Sequence, residues 1–159
     1  MLRGPLFISV YQMKNFLFTL LLFFCYCTTF AQLEKPITWS YVAKKTNNNE
    51  ATVFIKAKLT GKWHVYAQEV QSDAMRLKFT YAPSADFTLI GKTIAPKPVE
   101  KYDQTVKMEL AYFEKEVVFT QKIKLKKALA NVKVKIEFMV CNDKSCLPAD
   151  EIMLNIPIK

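Results

Sequence analysis

Val132-Lys133-Val134-Lys135-Ile136-Glu137-Phe138-Met139-Val140 places an apolar residue at every second position. Side chains of an extended chain alternate between two faces, so this stretch predicts a strand with one face buried and the other charged. The same period recurs along the chain. Ile37, Trp39 and Tyr41 alternate with Thr38 and Ser40, and Val53, Ile55, Ala57 and Leu59 with Phe54, Lys56 and Lys58. Met75, Leu77, Phe79 and Tyr81 alternate with Arg76, Lys78 and Thr80, and Ile152, Leu154, Ile156 and Ile158 close the chain. Turn signals separate these runs: Asn47-Asn48-Asn49, Gly61, Pro83-Ser84, Gly91, and Pro96 with Pro98. No long stretch has helical spacing, and only Lys126 to Ala130 is expected to form a short helical turn. Many short strands at this spacing predict an all-β fold, an immunoglobulin-like antiparallel β-sandwich. The Cys…Trp…Cys order of antibody domains is absent, because Cys141 and Cys146 both follow the last tryptophan, Trp63.

The amino terminus has a different composition. Met13-Lys14-Asn15 is a short basic start, Phe16 to Cys27 is an apolar run, and Thr29-Phe30-Ala31 offers small residues before Gln32. That is the layout of a secretory signal peptide, and the apolar run is too short to span a membrane. Residues 1–31 are therefore expected to be a signal peptide, with 1–12 as an upstream extension, and 32–159 to be the mature domain. A bulky Phe24 before Cys25 argues against a lipoprotein. Cleavage before Gln32 would remove Cys25 and Cys27 and leave Cys141 and Cys146 as the only cysteines.

The chain carries a net charge of +9, and residues 1–31 supply two of those charges, Arg3 and Lys14, so the mature domain keeps +7. The lysines alternate with apolar residues, as at Lys56 and Lys58, Lys122 and Lys124, and Lys133 and Lys135. This is the solvated face of half-buried strands. No basic cluster with interleaved aromatics is dense enough for nucleic acid, so no nucleic-acid partner is expected. Nor is a transmembrane segment expected after cleavage, and the domain is expected to be a monomer.

Cys141 follows the last inward residue of the long strand, Asn142-Asp143-Lys144-Ser145 is a polar turn, and Cys146-Leu147-Pro148 leads into the last strand. The spacer allows the chain to turn back and bring the sulfurs within bonding range. A loop this small restrains the unfolded chain less than the ~3 kcal/mol expected for a 15-residue loop. Spacing alone leaves a structural staple and a redox-active pair open in an oxidising compartment. Zinc lacks ligands, because His64 is the only histidine, and Met75, Met108, Met139 and Met153 are too scattered in sequence for a copper site. No metal and no cofactor is expected. A cysteine–histidine hydrolase would need His64 in contact with a cysteine and a residue to orient it, and nothing else in the chain points to acyl transfer.

Four stretches carry a family resemblance: Gly61-Lys62-Trp63-His64-Val65-Tyr66, Gly91-Lys92 with Pro96-Lys97-Pro98, Lys101-Tyr102-Asp103-Gln104-Thr105-Val106, and Val140-Cys141 through Pro148. Together they resemble the amino-terminal periplasmic domain of the thiol:disulfide interchange protein DsbD. The resemblance implies an immunoglobulin-like sandwich in the periplasm whose cysteine pair passes electrons. A membrane-embedded or thioredoxin-like donor would supply them, and oxidised periplasmic proteins would accept them. It implies that Cys146 forms the mixed disulfide and Cys141 resolves it. An acidic, aromatic-bearing cap loop in the family matches Tyr102 to Val106, with Asp103 as the acid. The chain departs from the family in having a four-residue spacer where the best-known members have five. Thr105 or Val106 stands where the cap usually has phenylalanine, and Ala149 where a second proline is frequent. DsbD continues into a membrane domain and a thioredoxin domain, whereas this chain ends at Lys159, so the donor is expected to be a separate molecule.

Trp63 and Tyr66 are candidates for the floor of the site, with core packing as the competing role for each. Lys144 would favour a thiolate, and Asp143 and Asp103 would oppose it. The leading expectation is a thiol–disulfide exchange domain, with catalytic Cys141 and Cys146 surrounded by Tyr102, Asp103, Thr105, Val106, Trp63, His64 and Tyr66. The alternative is an exported β-sandwich binding module with a purely structural disulfide.

Overall fold

The computed structural model describes residues 35–70, 72–73, 75–103 and 107–159, with the side chain of Asp103 left out. The expected signal peptide and the remainder of the cap loop, Gln104, Thr105 and Val106, lie outside the described residues. Eleven strands follow in order: β1 (Ile37–Asn47), β2 (Glu50–Leu59), β3 (His64–Tyr66), β4 (Lys78–Tyr81), β5 (Phe87–Ile94), β6 (Val99–Asp103), β7 (Met108–Glu114), β8 (Glu116–Leu125), β9 (Ala130–Phe138), β10 (Val140–Cys141) and β11 (Asp150–Ile158). They form three antiparallel sheets, with orders β1-β2-β8-β5, β10-β3-β7-β6 and β11-β9-β4. The architecture is the all-β, immunoglobulin-like sandwich that the period-two pattern predicts.

The sheets meet at Phe119 on β8, which has no solvent exposure. Its ring lies 5.0 Å from Phe79 on β4, 5.5 Å from Phe113 on β7 and 6.2 Å from Trp39 on β1. One phenylalanine thus touches side chains from all three sheets. Around it pack the inward residues of the alternating strands, including Val53, Ile55, Val132, Val134 and Ile136, all essentially without exposure. Burying a side chain of this size contributes about 1.5–3 kcal/mol, so the fold rests on this core.

Turn chemistry acts largely where expected. Asn47 Oδ1 accepts the amide of Asn49 in the tight β1–β2 hairpin at 2.8 Å, and Gly61 adopts φ +58° after β2. Gly91 differs: it lies inside β5, with φ +66°, where the pairing to β8 shifts register between Ile90 and Ile94. It makes a bulge rather than a turn. The buried Gln121 of β8 serves that bulge. Its amide donates to the carbonyls of Ile90 at 3.2 Å and Lys122 at 2.9 Å, and its Oε1 accepts from the Thr93 hydroxyl at 2.9 Å.

Three further expectations need correction. Lys126 to Ala130 forms no helical turn; residues 126–129 are a bend and Ala130 opens β9. The Asp86 carbonyl accepts the Lys126 amide at 2.8 Å and its carboxylate holds Lys127 Nζ at 2.6 Å, which takes the place of helical hydrogen bonds. The strand expected from Met75 begins only at Lys78. Finally, the long strand does not run unbroken to Val140. It leaves the β11-β9-β4 sheet at Phe138, breaks at Met139, and resumes as β10 on the edge of the other sheet. That switch carries Cys141 away from the β9 ladder.

Candidate functional site: an asymmetric disulfide on a sheet edge

Cys141 and Cys146 are joined by a disulfide, with Cα atoms 4.0 Å apart. Backbone bonds on both sides frame the small hairpin that holds them. The Leu147 amide donates to the Val140 carbonyl at 2.9 Å, and the Asn142 amide to the Ser145 carbonyl at 2.9 Å. Asn142 also closes the turn from within, its Oδ1 accepting the amides of Lys144 at 2.8 Å and Ser145 at 2.9 Å. An Asn at this position preorganises a polar turn that the cysteines need to meet.

The two sulfur-bearing residues differ in surroundings. Cys141 is only 2 % exposed, whereas Cys146 is exposed. The cause is the pairing of β10 with β3, in which Val140 faces Val65 and Cys141 faces His64. β3 in turn pairs with β7, setting His64 against Glu114, Val65 against Phe113 and Tyr66 against Tyr112. Paired residues share a face. Val140, Val65 and Phe113 point into the main core, together with Trp63 and Ala67. Cys141, His64, Tyr66, Tyr112 and Glu114 share the opposite face.

On that face Cys141 belongs to a second, smaller cluster with Tyr66, Val70 and Leu110, against which Met75, Met108, Met139 and Tyr112 pack. Three methionines that look scattered in sequence therefore converge here, while Met153 is 64 % exposed elsewhere. They pack as soft apolar bulk against the cluster that holds the buried cysteine. Among the described residues no group of three or more His, Cys, Asp or Glu side chains could hold a metal ion.

His64 is half-buried between two rings, its imidazole centroid 4.6 Å from Tyr112 and 5.5 Å from Tyr66. Burial lowers its pKa below the ordinary 6.5; Glu114 and Asp143 pull it back up, and Lys101 adds to the lowering. Asp143, in the turn between the cysteines, lies 4.0 Å from Lys62 in an exposed pair.

The expected site residues thus divide. Cys141, Cys146, His64 and Tyr66 come together. Trp63 does not floor the site: it is buried in the main core, one position out of phase with His64. Tyr102 is exposed on β6, and Asp103 ends that strand opposite Met108. Thr105 and Val106 lie outside the described residues. The sequence reading missed Tyr112, Glu114, Leu110 and Met108, because β7 is apolar at most positions of both faces, as in Leu110-Ala111-Tyr112-Phe113, and shows no clean period. A separate open cleft of about 730 Å³ between β4 and β5, lined by Phe79, Tyr81, Lys92, Thr93 and Gln121 among others, includes neither cysteine nor His64.

Comparison with known proteins adds the family. The model for the thiol:disulfide interchange protein DsbD, N-terminal, matches residues 33–157. The chain belongs to the DsbD N-terminal family. In fold it is similar to the N-terminal periplasmic domain of ScsB from Proteus mirabilis, at 16 % identity and a TM-score of 0.58, over 77 % of this chain and 46 % of that one. The chain thus spans about half the length of that ScsB structure. It is also similar to the DsbD N-terminal domain of Neisseria meningitidis in the reduced form, at 14 % identity and a TM-score of 0.47, covering 73 % of this chain and 82 % of that one. No curated protein sequence matches the chain.

Proposed function

We propose that this DsbD N-terminal domain is a thiol–disulfide exchange module that relays electrons through Cys141 and Cys146. The observation that carries this is the unequal exposure of two bonded cysteines on one five-residue step of chain. A partner thiolate can reach Cys146 from solvent and attack its sulfur, and Cys141 then leaves as a thiolate. In the discharging direction Cys146 attacks an oxidised acceptor, and Cys141, held beside it, resolves the mixed disulfide at high effective concentration. The donor is a thioredoxin-like or membrane-embedded reductase, and the acceptors are oxidised exported proteins. The soft cluster around Cys141 favours this reading over a staple, because the main core lies on the opposite face of the sheet and does not include the bond.

Export follows from the amino-terminal composition: residues 1–31 act as a signal peptide, and 32–159 work in the periplasm as a monomer. Amino-terminal sequencing of the exported protein should start at Gln32, and residues retained before it would contradict this processing. The exchange function is tested by the reduction potential against glutathione and dithiothreitol buffers. A value above about −300 mV is expected for an exchanging pair, and a value well below it would leave a structural bond in a binding module.

A further inference from the structure

We propose that His64 is the proton acceptor for Cys141, so that resolution of the mixed disulfide is coupled to protonation of this imidazole; the proposal rests on the exchange reading above. The need arises from burial. Cys141 sits among Tyr66, Val70 and Leu110 at 2 % exposure. A thiol enclosed by apolar side chains gives up its proton less readily than one in open water. Yet it must become a thiolate to attack. Its proton needs a local destination.

Strand register supplies one. Cys141 is directly opposite His64, and His64 is directly opposite Glu114, so the three form a row across β10, β3 and β7 on one face. Opposed residues on adjacent strands have Cβ atoms about 4.5–5.5 Å apart, within the reach of an imidazole. The remaining groups acting on His64 are known. Tyr66 and Tyr112 flank its ring, Asp143 approaches from the cysteine loop with Lys62 paired to it, and Lys101 acts from β6. Burial keeps the imidazole neutral and able to accept at neutral pH, while Glu114 and Asp143 favour the cation once it forms.

The step balances. With Cys146 joined to an acceptor sulfur, the Cys141 S–H proton moves to the His64 imidazole. The Cys141 thiolate attacks Cys146 Sγ, the Cys141–Cys146 bond forms and the Cys146–acceptor bond breaks. The acceptor leaves as a thiolate and takes up a proton from the imidazolium or from water. Two electrons pass from the cysteine pair to the acceptor disulfide. In the charging direction the donor thiol gives its proton to the imidazole or to water as its thiolate attacks Cys146, and the imidazolium so formed protonates the departing Cys141 thiolate.

The test mixes the reduced domain with 5,5′-dithiobis(2-nitrobenzoate). Attack by Cys146 releases a first thionitrobenzoate, and resolution by Cys141 releases a second. For the wild type, the second phase should slow as pH falls through the His64 titration, below about 6.5. His64→Gln should slow the second phase at least about tenfold, the lower side of what a positioned base contributes. It should also remove the inflection and leave the first phase within about twofold. In His64→Ala, added imidazole should restore part of the lost rate. An unchanged second phase and pH profile in His64→Gln would overturn the role of His64 while leaving exchange intact. A wild type that releases no second equivalent and does not re-form the Cys141–Cys146 bond would overturn the exchange reading, and this proposal with it. If His64→Gln does not fold, the wild-type pH profile and the imidazole response of His64→Ala decide.

Discussion

The two faces of the short β10-β3-β7 ladder are built on opposite principles. One face carries Val140, Val65 and Phe113, and it merges into a core that all three sheets share through Phe119. The other carries Cys141, His64, Tyr66, Tyr112 and Glu114, and three methionines pack against the cluster that holds Cys141 and Tyr66. Alternation along a strand, one residue at a time, sends successive side chains to two separate clusters. The same backbone that is fixed by the core holds Cys141 in place, and in the proposed relay the bond between the cysteines opens without the fold depending on it.

The contrast can be broken from the core side first. Phe119→Ala removes the one ring that meets Trp39, Phe79 and Phe113. It should cost about 3–5 kcal/mol in denaturant unfolding, while the reduction potential of any protein that remains folded stays close to wild type. On the other face the loss should be smaller. Replacing both Cys141 and Cys146 by Ala should cost at most about 2 kcal/mol, because the loop they close is short; loss of cooperative unfolding would mean that the bond is a staple after all.

Asn142→Ala should cost about 1 kcal/mol or less, since the turn amides it serves are exposed and can bond water. Its larger effect should be on the potential, because an unframed turn holds the sulfurs less well and makes the disulfide easier to reduce.

The smallest effect is one of pH. The pKa of His64 is lowered in the folded chain, so the fold favours neutral imidazole. Its contribution is fully present above the unfolded value of about 6.5 and is lost as pH falls from there toward the folded value. The melting temperature of the wild type should therefore decline more between pH 7 and pH 5 than that of His64→Gln. Equal slopes would mean that His64 titrates as in the unfolded chain.

Much of the sandwich is legible in sequence because β2, β9 and the end of β8 that carries Lys122 and Lys124 have one wet and one dry face, which the lysines mark. The break at Met139 is not, because Val140 keeps the inward phase of the pattern while the chain changes sheets. β7 hides for a related reason: its two faces serve two different apolar clusters, so Leu110 and Phe113 are both buried and the period is lost. The cysteine pair was readable from spacing and from the family resemblance. The residues around Cys141 were not, since Tyr112, Met75 and Met108 join its cluster only through tertiary packing, and Glu114 joins the same face only through the register of β3 with β7. Trp63 was ambiguous until the phase of β3 placed it in the main core and His64 beside the disulfide.

In the proposed relay the exposed Cys146 exchanges and the buried Cys141 resolves. That division of roles is tested by mixing Cys141→Ser and Cys146→Ser separately with an oxidised thioredoxin-fold protein and running non-reducing gels. Cys141→Ser should accumulate a mixed disulfide through Cys146, which nothing can resolve, while Cys146→Ser, whose remaining Cys141 is 2 % exposed in the native bond, should trap little. Equal trapping by both variants, or trapping through Cys141 alone, would contradict it.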